Sequence, residues 1–250
     1  INLCKLDSSK TPNWRKASRP FGENCGFTIG EATQYIVLMD DALAIDLAAD
    51  VHGAVSDVFI NADGIKRSIS APGAGNYVSF SKAVASAIAI VGESTVRKHS
   101  FIHAHGSSTP ANRVTESRIF DRVAEAFSIK DWPITAAEAF VGHSLAAASG
   151  DQLAFALGTF KYDILPGIKT VDKIADDVAQ KRLFFPLQDM DLVNRKMDVA
   201  FVNSKGFGGN NATAVVLSPR KVENMLSARY GSVMADYQSR REETRQAAKN

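Results

Sequence analysis

Apolar and polar positions along this chain follow two rhythms, one of period two and one near 3.6. Tyr35-Ile36-Val37-Leu38-Met39 is a short β-branched run closed by Asp40 and Asp41, which predicts a buried strand. Ala42 to Asp50 follows at helical spacing. Gly53 to Ile60 predicts a strand running into the turn Asn61-Ala62-Asp63-Gly64. After a Pro/Gly loop over 68–75, Val84, Ile88 and Val91 share one face of a long helix over 76–98. Phe101-Ile102-His103-Ala104 is a further buried strand, and it runs out into the polar loop His105-Gly106-Ser107-Ser108-Thr109. Pro110 suits the first turn of a helix, along which Ile119, Val123 and Phe127 recur on one face.

The second half continues the alternation. Trp132 to Ala136 reads as a short strand. His143 stands just ahead of Leu145-Ala146-Ala147-Ala148-Ser149-Gly150, a helix with so little side-chain bulk that it can pack in the middle of a domain. Leu153, Leu157 and Phe160 extend its buried face until Pro166 and Gly167 end it. Val199 to Val202 and Ala212 to Leu217 are two strands around a glycine-rich turn. From Lys221 the chain is amphipathic and then highly charged through Arg240-Arg241-Glu242-Glu243, which predicts an exposed terminal helix. Strands alternating with helices give an α/β class with helix-covered strands, and the final hairpin makes the sheet mixed.

Composition narrows the function classes. The 250 residues, 45% hydrophobic and 22% charged, support a substantial core in one domain or two small ones. A net charge of +2 provides no field of the kind nucleic-acid binding needs. Cys4 and Cys25 are too few for a disulfide framework, and no Cys/His cluster has zinc spacing. No apolar run approaches the ~20 residues of a membrane span. With no signal peptide, a reducing cytoplasm is the expected compartment. The chain opens on Ile1 rather than methionine, so a processed or truncated piece is expected.

Three stretches repeat one pattern of strand, glycine and polar group: His103 to Pro110, Val141-Gly142-His143-Ser144, and Asn203 to Asn211. In α/β proteins chemistry gathers where strands end in loops. Taken singly, each has a plain structural explanation. A lone histidine at a strand end is more often structural than catalytic. A glycine turn can be a simple hairpin. Lys205 precedes its glycines and no strand–loop–helix order follows, so this is not a phosphate loop. His103 is expected on the opposite strand face from its neighbours, and His52 and His99 at the surface.

Together the stretches resemble the C-terminal half of the β-ketoacyl-acyl carrier protein synthases, in wording closest to an atypical bacterial branch. That family usually reads E-A-H-G-T-G-T-P where this chain has His103 to Pro110. It reads G-H-x-x-G-A-A-G at Gly142 to Ser149, and N-S-F-G-F-G-G-T-N-A at Asn203 to Ala212. Ser18-Arg19-Pro20-Phe21, Gly26-Phe27 and Gly30-Glu31 match its S-R-P-F, G-F and G-E. The resemblance implies a thiolase-like fold of layered α/β/α/β/α form built from two similar halves, usually a homodimer. The expected parts are residues 1–40 as the end of the N-terminal half, 41–218 as the C-terminal half and 219–250 as a helical extension. It implies decarboxylative Claisen condensation of malonyl-carrier protein with an acyl thioester, in fatty acid or polyketide synthesis. The partners are acyl carrier protein or CoA thioesters, and no cofactor, metal, nucleic acid or membrane is called for.

By the same resemblance, His105 and His143 are the imidazoles that stabilise the enolate, which requires neutral rings donating N–H. A helix N-terminus after His143 favours the neutral form. Ser107 and Thr109 match the hydroxyls that hold the pantetheine arm. Phe207 matches the acyl gate and, with Gly206 and Gly208, the oxyanion hole. Glu116 matches the acid that follows the histidine motif; its bland alternative is support of its own helix start. Asp63 is a looser match to another buried acid. The chain also departs from the family. Neither Cys4 nor Cys25 has the small-residue setting of the nucleophile, which belongs upstream of residue 1, so this piece alone is expected to be inactive. Glu138 stands where the family has lysine, and Gln152 stands where that lysine's glutamate lies, so a Glu138–Gln152 hydrogen bond is expected in place of the ion pair. Lys205, Asn210 and Ala146 replace a phenylalanine, a threonine and a glycine. Two rival readings remain: a synthase primed by acetyl-CoA, and a non-catalytic scaffold homologue of the chain-length-factor kind.

Overall fold

The computed structural model describes residues 17–24, 26–65 and 73–249. Cys4, Cys25, Lys66, Arg67 and most of the loop 68–75 lie outside them. The core is a six-stranded sheet in the order β1-β8-β7-β2-β3-β5. Its strands are β1 (Ala54–Ala62), β2 (Ser100–His103), β3 (Trp132–Thr135), β5 (Leu183–Phe184), β7 (Val199–Gly206) and β8 (Asn210–Leu217). The hairpin β7–β8 and the pair β1–β8 are antiparallel, while β2 runs parallel to both β7 and β3, and β3 to β5. The mixed sheet expected from the alternation is therefore present. A small second sheet pairs β4 (Ile164–Leu165) with β6 (Met190–Asp191).

Helices cover both faces, and the period-two rhythm decides what each receives. Ile102, Val199 and Phe201 point into one cluster with Phe80, Ala83, Val84 and Ala87 of α2 (Gly75–Val91) and Ile119, Phe120 and Val123 of α4 (Pro110–Ala126). Their neighbours Phe101, Ala200 and Val202 point the other way, onto Ala156 and Phe160 of α6 (Ala148–Tyr162). Trp132, fully buried, donates its indole N–H to Ser100 Oγ at 2.9 Å, which removes the cost of burying that group. Helix, sheet and helix thus form three layers, the α/β arrangement that the alternation of elements predicts.

Two sequence expectations give way here. Tyr35 to Met39 is not a buried strand: it is irregular, Tyr35 is 94% exposed, and among the described residues no strand pairs with it. A β-branched run becomes a strand only where another backbone supplies its hydrogen bonds. The single helix over 76–98 is two, because Gly92 at φ +85° separates α2 from α3 (Glu93–Lys98).

The exposed terminal helix is also modified. It divides into α7 (Pro219–Tyr230) and α8 (Met234–Ala247), with Leu226, Met234 and Tyr237 buried against Ile45 and Ala48 at α1 (Asp41–Asp46). Arg240 donates to the Asp46 and Ile45 carbonyls at 2.8 and 3.2 Å, tying α8 to the end of α1.

Candidate active site

The loop after β2, the loop after α5 (Glu138–Val141) and the β7–β8 turn converge on one cavity of about 500 Å³. His105, His143, Ser107, Thr109 and Phe207 all line it, as do Phe27, Asn76, Lys205 and Asn211. The His105 and His143 rings lie 5.1 Å apart between centroids and nearly perpendicular, at 83°. Both residues are 8% exposed. In each ring Nδ1 is buried, so Nε2 is the nitrogen it can offer the cavity.

Burial, reinforced by His143 and Lys205 nearby, pulls the His105 imidazole down to about 3, so the ring is neutral at physiological pH. His103 is neutral for the first of these reasons alone, also at about 3. It faces away as expected, edge-on to Phe155 of α6 at 6.0 Å.

Glu116 explains how the His105 loop keeps its shape. Its carboxylate, fully buried, accepts the backbone N–H of His105 at 2.8 Å and of Gly106 at 3.0 Å. It also accepts from the side-chain amides of Asn112 at 2.9 Å and Asn203 at 2.9 Å. The side chain thus reaches back to the histidine loop and does not support its helix start. That start is capped by Thr109, whose Oγ1 accepts the Asn112 N–H with Pro110 in the first turn. Ser107 and Thr109 lie side by side, their hydroxyl oxygens 3.4 Å apart.

His143 is held by the segment 26–30. Its N–H donates to Thr28 O at 2.7 Å, its C=O accepts from Gly30 N at 3.0 Å, and Phe27 packs edge-on to its ring at 4.9 Å. Gly142 sits at φ 71° and ψ −167°, a region open to glycine alone, and a Cβ there would meet Thr28 O at 2.7 Å. The helix expected directly after His143 begins later. Leu145 at φ +59° and a 3₁₀ turn over Leu145–Ala147 intervene before α6. Proximity to a helix dipole is therefore weaker than the sequence suggests.

The expected Glu138–Gln152 hydrogen bond is absent. Gln152 donates to the carbonyls of Ala104 at 2.6 Å, Asn203 at 2.9 Å and His103 at 3.3 Å, and accepts from Ser204 at 2.8 Å. It ties β2 to β7 beneath the site. Glu138 turns instead onto His143, with Oε1 2.9 Å from Nδ1, although the approach misses the alignment of a full hydrogen bond. Burial drives the Glu138 carboxyl above its ordinary range, against the opposing pull of His143. One side-chain atom from each of His105, Glu138 and His143 lies within 4.8 Å of the others. Glu138 and Glu116 do not line the cavity; they touch the residues that do.

The glycine turn is open. Phe207 is 78% exposed, and Gly208 and Gly209 adopt φ of 87° and 90°. A Cβ on Gly206 would meet nothing closer than 3.6 Å, so these glycines serve the backbone's path more than any crowding. Asp63 anchors the same turn, accepting from Asn211 Nδ2 at 2.8 Å and from Gly75 N at 3.0 Å. Sequence reasoning assigned no role to Phe27 and Asn203. Both stood inside quoted motifs, which was the only signal for either.

Residues 52–172 match the family described as "Beta-ketoacyl synthase, C-terminal domain". The chain thus carries a C-terminal domain of the β-ketoacyl synthase family. It is 66% identical over 248 residues to the beta-ketoacyl-[acyl-carrier-protein] synthase FabY of Pseudomonas aeruginosa, an alignment covering 99% of this chain and 39% of that protein. The crystal structure of the noncanonical ketosynthase FabY from P. aeruginosa superposes with a TM-score of 0.94 at 64% identity, covering 98% of this chain and 38% of that one. The 3-oxoacyl-[acyl-carrier-protein] synthase 2 of Synechocystis sp. is 30% identical over 203 residues, 79% of this chain and 45% of that protein. The chain therefore spans less than half the length of these curated relatives. Among the described residues no helix is long and apolar enough to cross a membrane.

Proposed function

We propose that this chain supplies the decarboxylation half of a β-ketoacyl-acyl carrier protein synthase that works in the cytoplasm on acyl carrier protein or CoA thioesters. The observation that carries it is the pair of buried imidazoles, 5.1 Å apart, opening on a single cavity beside two hydroxyls. Loss of carbon dioxide from a malonyl thioester leaves an enolate whose charge builds on the thioester oxygen. Two neutral rings donating N–H to that oxygen stabilise it without adding a proton. His105 and His143 are the catalytic residues of this reading. Glu116 and Glu138 are positioning residues. Glu138 backs His143, whose Nδ1 is turned onto the carboxyl, so that Nε2 is left to face the cavity.

Ser107 and Thr109 bind the pantetheine arm where it enters. Phe207 gates the acyl pocket, and its backbone N–H, freed by Gly206 and Gly208, serves the oxyanion of the acyl-enzyme. The nucleophilic cysteine comes from chain outside these 250 residues, in a protein that pairs as a homodimer. The test is malonyl-carrier protein decarboxylation by the complete polypeptide, with His143→Ala and His105→Ala beside it. Loss of carbon dioxide release in each variant is expected. Unchanged release in the variants overturns the role of the histidines, and none from the parent protein overturns the assignment in favour of a scaffold.

A further inference from the structure

The two buried carboxyls of the site are treated very differently by their surroundings. Glu116 receives four N–H donors, two on each oxygen, and such a carboxylate is satisfied as an anion. Glu138 is 4% exposed, and among the described residues neither of its oxygens meets any donor except His143 Nδ1. An anion there would be buried with most of its acceptor sites unfilled, which is expensive.

Three proton arrangements fit one nitrogen facing one carboxyl. An ionised Glu138 accepting Nδ1–H leaves Nε2 as a bare lone pair towards the cavity, repelling the oxygen the ring has to stabilise. An imidazolium would put a second positive charge into the cavity that Lys205 also lines. The third arrangement has a neutral glutamic acid donating O–H to Nδ1, which places the ring's proton on Nε2. Only this one gives the cavity a neutral donor. We propose that Glu138 is held as the neutral acid and, by donating to Nδ1, fixes His143 as the Nε2–H tautomer.

This rests on the condensing reading above and names the group that sets its second donor. The charged and titratable groups facing Glu138 agree. Glu116 on α4 and Asp151 on α6 both push its carboxyl upward, as burial does, and His143 alone opposes them. Glu138 acts through His143 and is a positioning residue.

The experiment compares Glu138→Gln, Glu138→Ala and the parent in the complete polypeptide, by malonyl-carrier protein decarboxylation from pH 6 to 9. A glutamine N–H can donate to Nδ1 as the acid does. Glu138→Gln is therefore expected to stay within about threefold of the parent at neutral pH, and Glu138→Ala to fall about tenfold or more. Where Glu138 ionises as pH rises the parent should lose activity, and Glu138→Gln should lack that fall. In parallel, nitrogen-15 NMR of histidine-labelled parent protein reads the His143 tautomer directly, and so does not depend on either variant folding. Nε2–H is expected. A glutamine variant as poor as the alanine one, or Nδ1–H in the parent, overturns the proposal while leaving the condensing reading intact. A parent without decarboxylase activity instead overturns that reading.

Discussion

The carboxylate of Glu116 accepts the backbone N–H of His105 at 2.8 Å, so the acid holds the loop that presents the His105 imidazole to the cavity. The same carboxylate takes Gly106 N and the amides of Asn112 and Asn203, tying α4, the β2 loop and β7 to one anion. Glu116→Gln turns an NH₂ group onto two of those donors, and Glu116→Ala strips all four. Each buried donor left unpaired costs about 1–3 kcal/mol. Both variants should lower the unfolding free energy by a few kcal/mol, alanine more, with decarboxylation falling up to ~100-fold as His105 drifts. Urea unfolding and turnover, measured on the same samples, check this.

Gln152 predicts an asymmetry. Its amide N–H groups face the carbonyls of His103, Ala104 and Asn203. Gln152→Glu would put a buried carboxylate against three acceptors, with a cost on the order of 3 kcal/mol. The substitution should lower the thermal midpoint even though the resembling synthases carry glutamate there. A thermal scan that leaves the midpoint unmoved would show that this amide is not what joins β2 to β7.

Acid should act on the fold through two buried histidines. His103 and His105 stay neutral down to about 3 when folded, against 6.5 for an exposed ring. Between those values the unfolded chain binds more protons, so stability is complete above about pH 6.5 and falls as pH drops towards 3. Each histidine contributes a slope of up to about 1.4 kcal/mol per pH unit. Glu138, raised above 4.5, works oppositely, since its folded state keeps a proton that the unfolded chain has lost. The histidine share is therefore read by difference: between pH 7.5 and 5.5 the His103→Leu variant should lose about 1.4 kcal/mol less stability than the parent.

Gly142→Ala tests the support beneath His143. The backbone there lies in a region that costs side-chain-bearing residues about 1–3 kcal/mol, and the added methyl would come within 2.7 Å of Thr28 O. Loss of stability by at least that amount is expected, together with reduced decarboxylation, because Thr28 O is the acceptor that holds the His143 N–H.

Much of this was already written in the order of residues. Period-two and period-3.6 patterning placed the strands around His103 and Phe201 and the helices carrying Ile119 and Phe160, because each must turn an apolar side to a common core. The motif residues His105, His143, Ser107, Thr109 and Phe207 could be chosen in advance, and they do line one cavity. Local pattern cannot choose between distant partners. Glu138 was paired in expectation with Gln152, yet it meets His143. Gln152 meets three carbonyls from two strands. Tyr35 to Met39 has every local mark of a strand but no described neighbour to complete it. A hydrogen bond depends on where two separately folded segments come to rest to within a few tenths of an ångström. In this protein the sequence determined which residues are apolar, which loops carry the histidines and hence the class of fold. The tertiary structure alone decided which acid is satisfied as an anion and which is left facing a single nitrogen.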